Sequence, residues 1–137
     1  MATNLTSSNS VLVEVAPGEL IDKLTILEIK NERIEDEAKL RNVRIELEVL
    51  SGARDNSMQV TDALLQLTEQ LKAINEQLWD IEDRIRICEK ADDFSTTFVE
   101  LARSVYKTND RRAALKREIN ELLGSRLVEE KDYEDYE

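Results

Sequence analysis

Residues 60–88 read VTDALLQLTEQLKAINEQLWDIEDRIRIC, and their spacing decides the fold. Val60, Leu64, Leu67, Leu71, Ile74, Leu78, Ile81, Ile85 and Cys88 follow one another at alternating steps of four and three. That is a heptad seam held for about four heptads, or roughly 45 Å of helix at ~1.5 Å per residue. Thr61 or Asp62 can cap its start, and no Gly or Pro interrupts it. A helix is predicted over about 61–90.

Downstream, Asp92 and Asp93 stand where the next cap is needed. Phe94, Phe98, Leu101, Val105, Leu115, Ile119 and Leu122 repeat the seam, with Thr108 and Arg112 at its two intervening positions. This predicts a helix over about 93–123, closed by Gly124, whose freedom at positive φ suits a C-terminal cap. Upstream, Pro17-Gly18 and the acids Glu19 and Asp22 mark a helix start, where the dipole favours negative charge. No breaker follows until Gly52, so another helix is predicted over about 19–50 and a loop over 52–60. All three glycines then fall at helix boundaries. Short connections make neighbouring helices antiparallel. The expected fold is therefore all-α: three long helices in an antiparallel, coiled-coil-like bundle over residues 17–124.

Residues 1–16 precede that bundle as a leader, which begins with the uncharged, Ser/Thr/Asn-rich MATNLTSSNS and is expected to be flexible. Val11–Val15 (VLVEV) is the β-like run, read either as an extended lead-in or as a short strand pairing with an edge of another subunit. Residues 125–137 form an acidic tail.

Composition bounds the chemistry. The 137 residues contain no His and one Cys, which excludes the usual zinc sites, a Cys–His nucleophile, a Ser–His–Asp triad and an internal disulfide. No Gly-rich phosphate loop is present, and no catalytic, metal-ligating or cofactor-binding set is indicated. Cys88 lies on the seam and reads as a small core hydrophobe. Glu28, Glu32, Glu35 and Asp36 lie beside Lys30, Arg33 and Lys39 and read as solvated ion pairs. The net charge of −11 argues against nucleic acid as a partner. Residues 128–137 carry six acids and one base, so −6 is left for the rest. No run of ~18 apolar residues suggests a membrane span. The start lacks the basic and apolar stretches of a signal peptide, and with one Cys the expected compartment is the cytoplasm.

Two regions break the regular pattern. In the first predicted helix, one seam runs Leu20, Leu24, Leu27, Ile34, Ala38 and Ile45, and another, on the opposite side, runs Ile26, Ile29, Leu40, Val43, Leu47 and Leu50. Leu20, Ile21, Leu24, Ile26, Leu27 and Ile29 almost surround the helix. A helix apolar all round is buried all round, which predicts a homo-oligomer with these six residues and the outward Trp79 at the interface. The competing account is a stutter near Glu35–Glu37 that moves one stripe across the helix.

The other region is a polar level at mid-bundle: Asn31, Arg33, Asn75, Thr108, Asn109, Asp110, Arg111 and Arg112. Three readings are open. It fixes register, as a buried Asn does in coiled coils; or Thr108 or Asn109 caps a fresh helix at Asp110; or it binds a small anion, with Arg111 or Arg112 as the clamp. The tail also has two readings. Tyr133 and Tyr136 among acids can dock on a basic groove of a partner, or the segment simply solubilises the protein.

Residues 18–30 (GELIDKLTILEIK) and 108–113 (TNDRRA) resemble the signature segments of a family of short bacterial and phage proteins with no assigned activity. The resemblance extends from about Val11 to Lys131. Members of that family tend to be encoded near glycosyltransferases and surface-polysaccharide assembly genes, so the resemblance implies an accessory role there. The function expected first is a non-enzymatic helical oligomerisation and protein-interaction module with an unknown protein partner. The alternatives are a small all-helical enzyme or ligand-binding protein, which needs Lys30, Arg33, Arg103, Arg111 and Arg112 to converge on an anion, and an acidic inhibitor protein that mimics a nucleic-acid surface.

Overall fold

The computed structural model describes residues 9–137. Among them are four helices and no strand: α1 (Pro17–Arg33), α2 (Glu37–Ser57), α3 (Asp62–Lys90) and α4 (Thr96–Leu122). The all-α class is as expected, and the helix count is not. The stretch read as one helix over 19–50 is two.

The chain breaks at Ile34-Glu35-Asp36, where Ile34 and Asp36 are both extended. Ile34 N–H still closes onto the Lys30 carbonyl at 2.9 Å, and the Asp36 carboxylate then accepts the Lys39 N–H at 2.9 Å as the cap of α2. The break loses a turn of helical hydrogen bonds and gains apolar burial. Leu40 and Val43 become buried, and Leu47 and Leu50 pack partly buried against the core. An unbroken helix would have held that stripe on the far side of α1, in water. Each fully buried aliphatic side chain contributes about 1.5–3 kcal/mol, which outweighs the interrupted backbone.

α1 is the central element. It packs against α2, α3 and α4, whereas α2 packs against α1 alone. α4 runs antiparallel to α1, because Gly18 meets Asn120, Glu19 meets Lys116 and Asp22 meets Arg112. The core joins Leu20, Ile21 and Leu24 of α1 to Leu64 and Leu71 of α3 and Leu115 and Ile119 of α4.

Boundaries also differ from expectation. α2 continues through Gly52 to Ser57, so Gly52 is not a helix end and the loop starts at Met58. Thr61 caps α3, its hydroxyl accepting the Leu64 N–H at 3.2 Å. α4 begins after Ser95; Asp92 adopts the left-handed conformation, and the Asp93 carboxylate accepts the Ser95 N–H at 3.1 Å. Gly124 closes α4 at a φ of 66°. Gly18 has a tertiary reason to be glycine: a Cβ there would fall on the Lys116 carbonyl oxygen of α4.

Candidate functional site

A buried polar cluster joins α1, α3 and α4 beside this core. Asp22, with 1% of its surface exposed, is its hub. The Asn75 amide donates to Asp22 Oδ1 and to Thr25 Oγ1, both at 2.9 Å. Thr25 donates in turn to the Asp22 carbonyl at 2.8 Å. Arg112 reaches in from α4 and grips the carboxylate with two nitrogens: Nε donates to Oδ1 at 2.9 Å, and Nη2 pairs with Oδ2. That fork matches the planar guanidinium to the carboxylate. The hydrogen bond to Asp22, followed by its negative charge, raises the Arg112 pKa against the opposing effect of burial. Among the described residues no buried side-chain nitrogen or oxygen lacks a partner.

One turn toward the start of α1, a second polar clasp repeats the theme. Gly18 N–H donates to Asn120 Oδ1 at 2.7 Å, and Lys116 Nζ donates to Glu19 Oε2 at 2.8 Å. Burial opposes the Lys116 charge, but the Glu19 hydrogen bond and nearby carboxylates leave its pKa raised. The two stretches that carry the family resemblance thus face each other across the α1–α4 contact.

Only part of the predicted polar level gathers here. Asn75, Asn109 and Arg112 do, with the Arg112 Nη1–Asn109 Oδ1 contact at 3.5 Å. Thr108 is buried on the α4 seam. Arg111 diverges from Arg112 and donates to Gln77 Oε1 and Thr108 Oγ1, both at 3.2 Å. Asp110 is exposed and accepts the Tyr136 hydroxyl at 2.7 Å. Asn31 and Arg33 lie elsewhere. Asn31 accepts from Arg44 at 3.3 Å, and Arg33 pairs with Asp80 at 2.7 Å while sitting 5.8 Å above the Trp79 ring. The break at Ile34 explains this, since it shortens α1 and brings Asn75 level with Asp22 and Thr25. α4 runs unbroken through Thr108–Arg112, which overturns the reading of a fresh helix at Asp110. Sequence reasoning missed Asp22 and Thr25 as partners. Their signal was present: two polar residues one turn apart inside an otherwise apolar wrap.

The residues assigned to an oligomer interface have a different setting. Leu20, Ile21, Leu24, Leu27 and Ile29 are buried within the single chain. Ile26 and Trp79, both partly buried, line a cleft of about 430 Å³ that also borders Asn75, Asn109 and Arg112. Most of the apolar wrap of α1 is covered by α2, α3 and α4 of the same chain, with Ile26 left part-buried at that cleft. Apolar side chains are exposed elsewhere. Val11, Leu12 and Val13 are 83%, 81% and 71% exposed, and Ile45 and Val49 of α2 are exposed as well.

The acidic C-terminal segment lies against its own chain. Beyond the Asp110 bond, the Tyr136 ring meets Tyr106 edge-on with centroids 5.2 Å apart. The hydrogen bond to Asp110 is the main cause, with burial and the Asp110 charge adding, that pushes the Tyr136 phenol from 10.0 up to about 12. A raised acid pKa means the contact contributes fully below the unfolded value and is lost as pH climbs through the folded one. In a spectrophotometric titration, one of the three tyrosines should therefore ionise late, and Tyr136→Phe should remove that late step. A wild-type titration with no late step would contradict the contact.

Taken together, fold and cluster define a small all-α domain whose interior polar groups are committed to holding its helices in place. Among the described residues no group of His, Cys, Asp or Glu is arranged to hold a metal, and no helix is long and apolar enough to cross a membrane. The chain belongs to DUF6165, a family of unknown function, whose description matches residues 11–136. No curated protein and no solved structure matches it.

Proposed function

We propose that the protein is a non-enzymatic helical interaction module that associates with itself and with a partner protein. The observation that carries this reading is the Val11–Val15 segment, apolar but for Glu14. It forms neither helix nor strand, most of its side-chain surface is in water, and it borders a groove of about 850 Å³ with Val49, Leu50, Ala53 and Met58. Its backbone N–H and C=O groups make no hydrogen bond to the described backbone. The Arg126–Glu14 ion pair tethers it to the end of α4 and neutralises its one charge, with Nε–Oε2 at 2.7 Å. Backbone with free N–H and C=O groups beside exposed aliphatic side chains is the surface that strand addition uses.

The cations needed for an anion-binding enzyme give less support to that alternative. Arg112 is engaged by Asp22 and Arg33 by Asp80, while Arg103 and Arg111 line a separate groove. The accessory role implied by the resemblance would make a component of surface-polysaccharide assembly the first partner to test.

Light scattering over a micromolar concentration series tests self-association directly. The wild-type chain is expected to exceed its single-chain mass of 15.8 kDa, and Val11→Asp with Val13→Asp to return it to that mass. A wild-type monomer throughout, with unaltered helicity, would sink the self-association claim.

A further inference from the structure

After α4 the chain turns at Gly124 and doubles back along that helix. Glu129 lies 3.5 Å from Lys116, and Glu130 lies 3.5 Å from Arg117. Further along, Tyr136 reaches Asp110 and Tyr106. Beside this Tyr136 contact is a groove of about 670 Å³ whose α4 wall carries Arg103, Lys107 and Arg111 together with Asp110, and which Glu137 also borders. Among the described residues Arg103 and Lys107 are exposed and form no ion pair, and Arg111 bonds the neutral Gln77 and Thr108. A chain of net charge −11 thus keeps three cations on one helical face, and its own acidic segment gives them no carboxylate partner.

We propose that this α4 groove is a docking site for an extended, acidic, tyrosine-bearing segment of a partner protein, and that Tyr136 holds the tyrosine position at its edge while the partner is absent. The reading rests on the chain being an interaction module, and it uses a surface distinct from residues 11–15. The seated segment shows the chemistry that fits: a tyrosine ring against Tyr106, with Glu129 and Glu130 on Lys116 and Arg117 further along α4. A partner segment that places carboxylates on Arg103, Lys107 and Arg111 gains charge-assisted contacts that residues 128–137 do not make. It competes against an intramolecular occupant at an effective concentration of order millimolar. That segment is held by the Tyr136 contact, by the part-buried Lys116–Glu129 pair and by the exposed Arg117–Glu130 pair, and an exposed pair is individually weak, so displacement is within reach.

The test uses the full chain and two fluorescent peptides, EEYEEYEE and the uncharged QQYQQYQQ, read by anisotropy. Tyr136→Ala releases the resident segment and is expected to bind EEYEEYEE about tenfold more tightly than wild type, by lifting that intramolecular competition. Adding Arg103→Glu and Lys107→Glu to Tyr136→Ala should abolish binding, and high salt should weaken it. Both cations are exposed, so circular dichroism should confirm unchanged helicity. Four results overturn the proposal: no binding to Tyr136→Ala, equal binding to wild type and Tyr136→Ala, binding that survives charge reversal, or equal binding of QQYQQYQQ. Dimers that vanish in Tyr136→Ala also overturn it, by giving the groove to a second copy's segment. The Val11→Asp, Val13→Asp scattering experiment reports separately on the module itself.

Discussion

Replacing Arg112 with leucine is expected to destabilise the fold by about 3 kcal/mol, a fall in melting temperature on the order of 10 °C. The cost comes from what the substitution leaves behind. Asp22 is 1% exposed, and without Arg112 its carboxylate keeps only the Asn75 amide as a side-chain donor. A buried charge stripped of its partner carries its full desolvation penalty. Asp22→Asn should cost less, about 1–2 kcal/mol, because the neutral amide needs no counter-charge. Arg112, with 30% of its side chain exposed, can then turn its charge to water.

The double variant should therefore be no less stable than Arg112→Leu alone, a coupling that contacting residues show and distant ones do not. Urea denaturation with unchanged slope measures all three. If Arg112→Leu unfolds at the wild-type midpoint, the clasp does not hold α1 to α4. Against a total stability of roughly 5–15 kcal/mol for a domain, the expected loss is a substantial fraction.

The other large effect is expected at Gly18. An alanine there would place its methyl on the Lys116 carbonyl oxygen and 2.9 Å from Asn120 Oδ1. The first obstacle is helical backbone, so α1 and α4 would have to separate. Separation weakens the Gly18–Asn120 hydrogen bond and the Glu19–Lys116 pair together. Overpacking alone costs about 1–3 kcal/mol, and about 1 kcal/mol more is expected from the weakened hydrogen bond. Gly52→Ala is the control. It sits inside α2 with nothing within 4 Å of the new methyl, so it should stabilise the protein by about 0.5–1 kcal/mol through helix propensity. Thermal melts of the two variants should move in opposite directions. Equal shifts would mean that α1 and α4 are not in backbone contact at Gly18.

The contrast between these two glycines shows where sequence reading succeeded and where it did not. Both look like helix punctuation in the linear chain. Gly18 does lie in a first helical turn, but its necessity comes from a helix that follows it by about a hundred residues. Gly52 has no such neighbour, and α2 passes through it.

The same division holds for the site. Asn75, Asn109 and Arg112 stood out as polar residues at or beside an apolar seam. Asp22 was read as an acid suited to a helix start, which is a sufficient local reason and hid its role as the buried partner. The run at Val11–Val15 reads as β-like in sequence, but the structure forms no strand there, and the run makes no hydrogen bond to the described backbone.

The amino-acid sequence by itself determined the helical class and the long α3 seam, because heptad spacing and capping are local properties that each helix expresses alone. It also marked α1 as the helix to be buried on every side. What covers α1 was decided only in three dimensions. Nothing local forbids a continuous helix through Ile34–Asp36, and the break pays only because it folds Leu40 and Val43 onto α1. Most of the apolar wrap of α1 is covered by the chain's own α2, α3 and α4, and the surfaces proposed for partners are residues 11–15 and the basic face of α4.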